Sequence, residues 1–135
     1  MHVVRIAWVV GALGVGLGAM SSTAAAHTRA LQAPTLPDTN AIPPDMVIQG
    51  RKVFHSKGMC LACHGSQLEG GPIAPTLKAH AWRDAKDGDL SAIYNVVTKG
   101  VRGTVMSPRP GGISDPETVA VAAYIWSVSH RGAKP

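Results

Sequence analysis

A pair of cysteines followed directly by a histidine constrains this chain more than any other feature. The sequence has 135 residues and two cysteines, Cys60 and Cys63, with His64 next in the chain. Residues three apart lie on one face of a helical turn, so both thiols can react with one flat molecule while the adjacent imidazole binds its metal. This Cys-x-x-Cys-His spacing is the attachment pattern of c-type haem. It predicts a single haem c, bonded covalently to Cys60 and Cys63, with His64 as an iron ligand.

Other uses of two close cysteines fit the sequence less well. A structural zinc site needs four ligands and usually a second cysteine pair, whereas this chain has no further cysteine and its other histidines are scattered. A thioredoxin-like redox pair belongs in a βαβ setting, which no segment here suggests. A plain disulfide between the two cysteines stays open, but it would leave the long loops described below without anything to order them.

An iron bound by one histidine needs a second axial ligand. The candidates after the motif are Met106, His80 and His130. We favour Met106, because its loop is rich in Gly and Pro and because a thioether ligand favours ferrous iron and raises the reduction potential. His80 and His130 are the alternatives, and the ordinary interpretation of Met106 is a methionine that fills a gap in the core.

The N-terminal segment has the pattern of an export signal. Residues 1–26 contain Arg5, an apolar run at residues 6–20, and a stretch of small residues ending at residue 26. The run is shorter than the ~20 residues that span a bilayer, so we expect cleavage, with an uncleaved membrane anchor as the alternative. Residues 27–44 contain four prolines and predict a linker or an extended arm. The folded domain is expected at residues 45–135, in the periplasm.

Apolar residues at helical spacing predict three helices besides the motif, and no segment alternates as a strand would. The first helix covers about residues 45–57, and the second covers about residues 88–99 with Asp89 as its cap. The last begins at Ser114, because a proline in its first turn and Glu117 three residues later are typical of a helix start. The predicted fold class is therefore all-α.

Two long loops and one glycine need explanation within this pattern. Residues 65–87 and 100–113 are rich in Gly and Pro, and a haem would give both loops a shared apolar surface. Gly50 lies inside the first helix, where glycine costs about 1 kcal/mol relative to alanine. We therefore expect another helix to pass close to Gly50. His55, near the end of the same helix, is interpreted as a solvated residue.

Taken together, these segments resemble the class I cytochrome c family in its short bacterial branch, over about residues 45–131. The resemblance implies the cytochrome c fold, with three to five helices around one covalently attached haem. It also implies that the first and last helices cross near Gly50, with Phe54 and Tyr124 in contact. The segments that carry the resemblance are residues 50–54, 60–65, 71–77, 106–108 and 123–126.

The same resemblance suggests roles around the haem. The family uses a proline carbonyl to accept a hydrogen bond from the axial histidine, and Pro75 corresponds to it, with Pro72 as runner-up. Trp82 corresponds to an aromatic donor to a haem propionate, although plain core packing is an equal alternative. The chain departs from the family at Ser107, because many members have proline directly after the ligand methionine.

The function expected from these features is one-electron transfer, without enzymatic activity of its own. An iron with both axial positions filled by protein has no open site for substrate. The carrier would pass electrons between a respiratory or dehydrogenase donor and a terminal acceptor. One alternative is a cytochrome subunit of a larger periplasmic dehydrogenase or oxidase complex, and a third is a haem enzyme or gas sensor with an open sixth site. The expected partners are redox proteins, with no nucleic acid, and with a membrane only if residues 6–20 are retained.

Overall fold

The computed structural model describes residues 34–78 and 82–135, and the regular structure within these ranges is helical, with no strand. Its four α-helices are α1 (Pro44–Phe54), α2 (Leu61–His64), α3 (Leu90–Lys99) and α4 (Asp115–Arg131). Short 3₁₀ turns lie at Thr39–Ala41, Lys86–Gly88 and Pro110–Gly112. The all-α prediction is confirmed. The predicted export signal at residues 1–26 lies outside the described residues.

The crossing of α1 and α4 is the central contact of the fold. A Cβ atom on Gly50 would lie 1.9 Å from the carbonyl oxygen of Ala120, so only glycine allows the two helices to come this close. Beside it, the rings of Phe54 and Tyr124 meet edge to face with centroids 5.5 Å apart, and both side chains are fully buried. The crossing expected at Gly50 is confirmed.

Helix α4 begins as its sequence predicts. The backbone N–H of Ser114 donates to Oε2 of Glu117 at 2.7 Å, which completes a capping box. The ammonium group of Lys57, which follows α1, lies 2.8 Å from the same oxygen. At α3 the predicted cap is half right: Asp89 occupies the N-cap position but makes no capping hydrogen bond, and its carboxylate accepts from the Ser91 hydroxyl instead.

The start of α4 should be sensitive to acid through Glu117. Hydrogen bonds from Lys57 and then from Ser114 lower the pKa of Glu117 from 4.5 to about 2. A carboxylate whose pKa is lower in the folded state stabilises the fold above pH 4.5, and this contribution is lost as the pH falls toward 2. We expect Glu117→Gln to lower the melting temperature at pH 6 and to melt like the natural protein near pH 2. A difference that stays constant over this range would contradict the assignment.

The chain before α1 packs onto the helical domain. Ile42 is buried in the core and Leu36 packs against it, while the Arg131 guanidinium of α4 donates to the Thr39 carbonyl. The part of the predicted arm within the described residues therefore lies on the domain, and α1 begins at Pro44. None of the described helices is both long enough and apolar enough to cross a bilayer.

Candidate functional site

A large apolar cavity lies between the helices and the two long loops. Its volume is about 580 Å³, within the range of about 300–1,000 Å³ that is usual for cofactor pockets. All four helices contribute to its wall, and so do residues 73–77 and 103–107 of the loops. Among the helical wall residues, those that also belong to the hydrophobic core are Phe54, Ile93, Val97, Val121 and Ile125. The cavity therefore occupies the space where a solid core would otherwise form.

Both cysteines and the adjacent histidine line this cavity. Helix α2 is a single turn that contains Cys63 and His64, with Cys60 immediately before it, and Gly65 ends the turn at a φ of 77°. The two thiols are half-buried and are not bonded to each other. Burial, the main cause, raises the pKa of the Cys60 thiol to about 11. This thiol therefore stays protonated at neutral pH in the metal-free chain.

A zinc site gains no support elsewhere in the described residues. Within residues 34–78 and 82–135, no three His, Cys, Asp or Glu side chains are grouped so that they could hold a metal ion. A haem would need fewer protein ligands than a zinc ion, because the porphyrin itself supplies most of the atoms that bind its iron. One imidazole beside two thiols is consistent with such a group.

The imidazole of His64 is oriented by a proline carbonyl. Its Nδ1 lies 3.0 Å from the carbonyl oxygen of Pro75. A carbonyl oxygen can only accept, so Nδ1 carries the proton and Nε2 keeps its lone pair in the neutral ring. Metal-binding histidines are commonly held in this way. Of the two prolines considered in the sequence, Pro75 is the hydrogen-bond partner and Pro72 is not.

Hydrogen bonds within the loop place the Pro75 carbonyl. Leu68 is fully buried, and its carbonyl accepts from the Leu77 N–H at 2.9 Å and from the Thr76 hydroxyl at 3.1 Å. The N–H of Gly70 donates to the His64 carbonyl at 2.8 Å. These bonds fold the loop back against α2 on both sides of Pro75. The loop is thus partly ordered by its own backbone, which the sequence analysis did not foresee.

Met106 reaches the same cavity from the second loop. It is half-buried, and its carbonyl accepts from the Val101 N–H at 2.9 Å. Gly100 has a φ of 68°, and a Cβ there would lie 2.4 Å from the Met106 carbonyl oxygen, so the loop closes tightly at this point. The structure therefore brings Met106 to the cavity that also holds His64.

The structure supports neither of the two alternative axial ligands. His130 is exposed near the end of α4, where its ring stacks on Trp126 with centroids 4.8 Å apart, and it lies outside the cavity wall. His80 lies outside the described residues. Trp82 lines the cavity and packs over Gly88. Its role as a donor to a haem propionate stays a prediction.

The cavity also contains groups that the sequence analysis did not single out. Arg83 and Asp84 line it and form an ion pair at 2.9 Å. Three apolar cavity residues are mostly exposed, namely Met59 (62%), Ile73 (64%) and Val105 (68%). The cavity therefore opens to the surface between apolar side chains. Met59 could be expected there, because it directly precedes Cys60 of the motif, but no local sequence signal marks the other four residues, whose neighbours come from separate loops.

Comparison with known proteins places this fold and cavity in a family. A family model described as "Cytochrome C oxidase, cbb3-type, subunit III" matches residues 45–125. The "Cbb3-type cytochrome c oxidase subunit FixPc" of Rhizobium leguminosarum bv. viciae is 36% identical over 84 residues, which cover 56% of this chain and 29% of that relative. The chain thus spans less than a third of the length of this relative.

A smaller relative and a solved structure agree with the family match. Cytochrome c-554(548) of Halomonas halodenitrificans is 32% identical over 71 residues, which cover 52% of this chain and 84% of that protein. The crystal structure of cytochrome cL from Methylophaga aminisulfidivorans superposes with a TM-score of 0.59 at 20% identity, covering 84% of this chain and 70% of that one. The structural likeness supports the cytochrome c fold.

The family match covers more than half of the chain, and the Halomonas relative is matched over most of its length. The cavity is apolar, of suitable size, and lined by two thiols and an imidazole whose Nδ1 is bonded to the Pro75 carbonyl, which leaves Nε2 for a metal, so the residues present fit a haem. The chain belongs to the cytochrome c oxidase, cbb3-type, subunit III family, and it is a class I c-type cytochrome that binds haem c covalently and transfers electrons.

Proposed function

We propose that the chain is an exported, periplasmic one-electron carrier with His64 and Met106 as the axial ligands of its iron and with thioether bonds to Cys60 and Cys63. The observation that carries this proposal is the 3.0 Å hydrogen bond from His64 Nδ1 to the Pro75 carbonyl, in a cavity that the other three residues also line. It directs the remaining nitrogen of His64 to a metal. Two methionines line the cavity, and we favour Met106 over Met59 as the second ligand because Met106 is half-buried, whereas Met59 lies beside Cys60 and is 62% exposed.

Each of these residues has a definable part in electron transfer. Bound haem supplies an iron that alternates between the ferrous and ferric states and so carries one electron. Pro75 fixes the tautomer and orientation of His64, and the thioether of Met106 favours the ferrous state. The apolar wall keeps water from the metal. With both axial positions taken by side chains, no position remains for a substrate, and this favours a carrier over a haem enzyme or gas sensor.

Replacing Met106 with alanine tests the axial assignment. We expect the reduction potential to fall, the near-infrared sulfur-to-iron band of the oxidised protein to disappear, and the reduced protein to bind carbon monoxide rapidly. Met59→Ala is the matched control, because Met59 lines the same cavity but is 62% exposed beside Cys60. An unchanged spectrum in Met106→Ala would exclude Met106 as ligand. Rapid carbon monoxide binding by the unaltered protein would instead favour a gas sensor.

The exposed apolar side chains at the cavity opening support redox partners that dock there. Met59, Ile73 and Val105 are each more than 60% exposed where the cavity that would hold the haem opens to solvent. Apolar contact area free of charge is typical of the centre of protein interfaces. We propose that donor and acceptor proteins contact this opening, so that the electron crosses the shortest path to the haem.

A cytochrome subunit within an oxidase complex is the second candidate. It is favoured by the match to the family model and to the Rhizobium oxidase subunit, of which this chain covers 29%. The chemistry at the iron is the same in both cases. Purification from native cells separates them, since a subunit elutes with catalytic partners while a carrier elutes alone. The intact mass of the same sample shows whether residues 1–26 are removed and whether one haem is added.

A further inference from the structure

His55 joins α1 to the segment that carries the haem motif. It follows the last residue of α1, is half-buried, and packs against the rings of Phe54 and Tyr124. Its Nδ1 lies 2.8 Å from the Arg51 carbonyl oxygen, one turn back in α1. Its Nε2 lies 2.9 Å from the carbonyl oxygen of Ser66, two residues after His64. One imidazole therefore bridges two backbone segments.

The two carbonyl partners determine which protonation state of the His55 ring can bond to both of them. A carbonyl oxygen can only accept a hydrogen bond, so each ring nitrogen must donate. A neutral imidazole has one N–H, whereas the imidazolium has two. In the neutral ring, one contact would place two lone pairs against each other at less than 3 Å. Both contacts are hydrogen bonds only when His55 is protonated.

We infer that His55 is a proton-dependent positioning residue, which holds the haem-binding segment against α1 when protonated and releases one of the two carbonyls when neutral. The inference deepens the proposed function and rests on it, since the segment it holds contains His64. A histidine is the side chain suited to this task, because its charge changes near neutral pH.

The surroundings of His55 are compatible with a positive ring. The ring lies at the C-terminal end of α1, where the unpaired carbonyl groups of a helix favour a cation. The elements that contact the ring include these charged and titratable groups: Asp45, Arg51 and Lys52 of α1, Asp115, Glu117, Tyr124, His130 and Arg131 of α4, and His64 and Glu69 of the haem segment. Arg51 Nε donates to the Pro135 carbonyl at 2.7 Å, and the Glu69 carboxylate accepts from the Gln67 N–H at 2.7 Å. Burial raises the pKa of Tyr124, so this phenol stays neutral.

Nuclear magnetic resonance of the reduced, diamagnetic holoprotein tests the inference directly. Long-range ¹H–¹⁵N spectra recorded over a range of pH should show both His55 nitrogens protonated wherever the contacts to the Arg51 and Ser66 carbonyls are intact, and the loss of one proton should coincide with the loss of one contact. A single neutral tautomer already at pH 5 would overturn the inference. This measurement needs no variant, so it does not depend on whether an altered chain folds.

A pair of variants tests the consequence for the fold. The amide of Gln can donate to one carbonyl but cannot bridge as a cation, so His55→Gln should lower the melting temperature more at pH 5 than at pH 8, by roughly twofold. His130→Gln, which alters a histidine stacked on Trp126, should show no such pH-dependent difference. Equal losses at both pH values would contradict the inference. Failure of the proposed function is recognised separately, by the absence of a His/Met haem spectrum in the unaltered protein.

Discussion

A chain with both Cys60 and Cys63 replaced by alanine is expected to reach the periplasm without covalent haem and largely unfolded. These residues are the two cysteines of the sequence, so no thioether bond to the macrocycle can form. The cavity of about 580 Å³ would then lack its filling. Because the cavity opens to the surface, water would contact its apolar wall, and the lost apolar burial is expected to remove most of the ~5–15 kcal/mol that stabilises a small domain.

Haem staining of a denaturing gel and the intact mass report the covalent bond, while circular dichroism reports the helices. Leu61→Ala is the matched control, because Leu61 lies between the two cysteines, is partly exposed, and leaves both thiols in place. It should stain like the natural protein. A well-folded double variant that lacks haem would show that the helices support themselves around an open cavity, contrary to our expectation.

Replacing Gly50 with alanine should be the most damaging single substitution within a helix. The added Cβ would lie 1.9 Å from the Ala120 carbonyl oxygen and 2.7 Å from the Tyr124 Cβ, and backbone atoms cannot rotate away. Helices α1 and α4 must therefore move apart, which also opens the contact of Phe54 with Tyr124. We expect a loss of about 3 kcal/mol or more, seen as a fall in melting temperature of about 12 °C or more.

The neighbouring Gln49 supplies the control for this experiment. Its side chain is exposed on the same helix, and Gln49→Ala changes helix propensity by only a few tenths of a kcal/mol. The melting temperatures of the Gly50→Ala and Gln49→Ala holoproteins are compared. The first variant adds one methyl group at the helix crossing, and the second makes a larger change on the surface. If Gly50→Ala melts within about 2 °C of the control, the close crossing of α1 and α4 is wrong.

Features that depend on adjacent residues could be predicted from the sequence. The α2 turn follows from the three-residue spacing of Cys60 and Cys63, and the start of α4 follows from Ser114 and Glu117. Gly50 was predictable for a different reason: a glycine inside an apolar helical face is unfavourable unless another backbone lies close. These predictions needed only local chemistry, and the structure confirms the helices and the crossing.

Features that depend on distant residues could not be predicted. The interpretation of His55 as a solvated residue is wrong, because the ring is half-buried and bonded to Ser66, eleven residues away. The return of Leu77 to Leu68 also joins positions that no periodicity relates. At Asp89, the nearby Ser91 hydroxyl competes for the carboxylate that was expected to cap α3. The export signal and residues 27–33 of the arm stay predictions, because they lie outside the described residues.

The five helical side chains shared by the cavity wall and the hydrophobic core have a consequence for how such a protein can change over time. A substitution at any of them, Val121 for example, alters at once the packing of the helices and the dielectric surroundings of the metal. Natural substitutions at these positions that change the reduction potential must therefore also change thermal stability. Selection for a new reduction potential therefore also changes the stability of the protein, unless a second substitution elsewhere restores it.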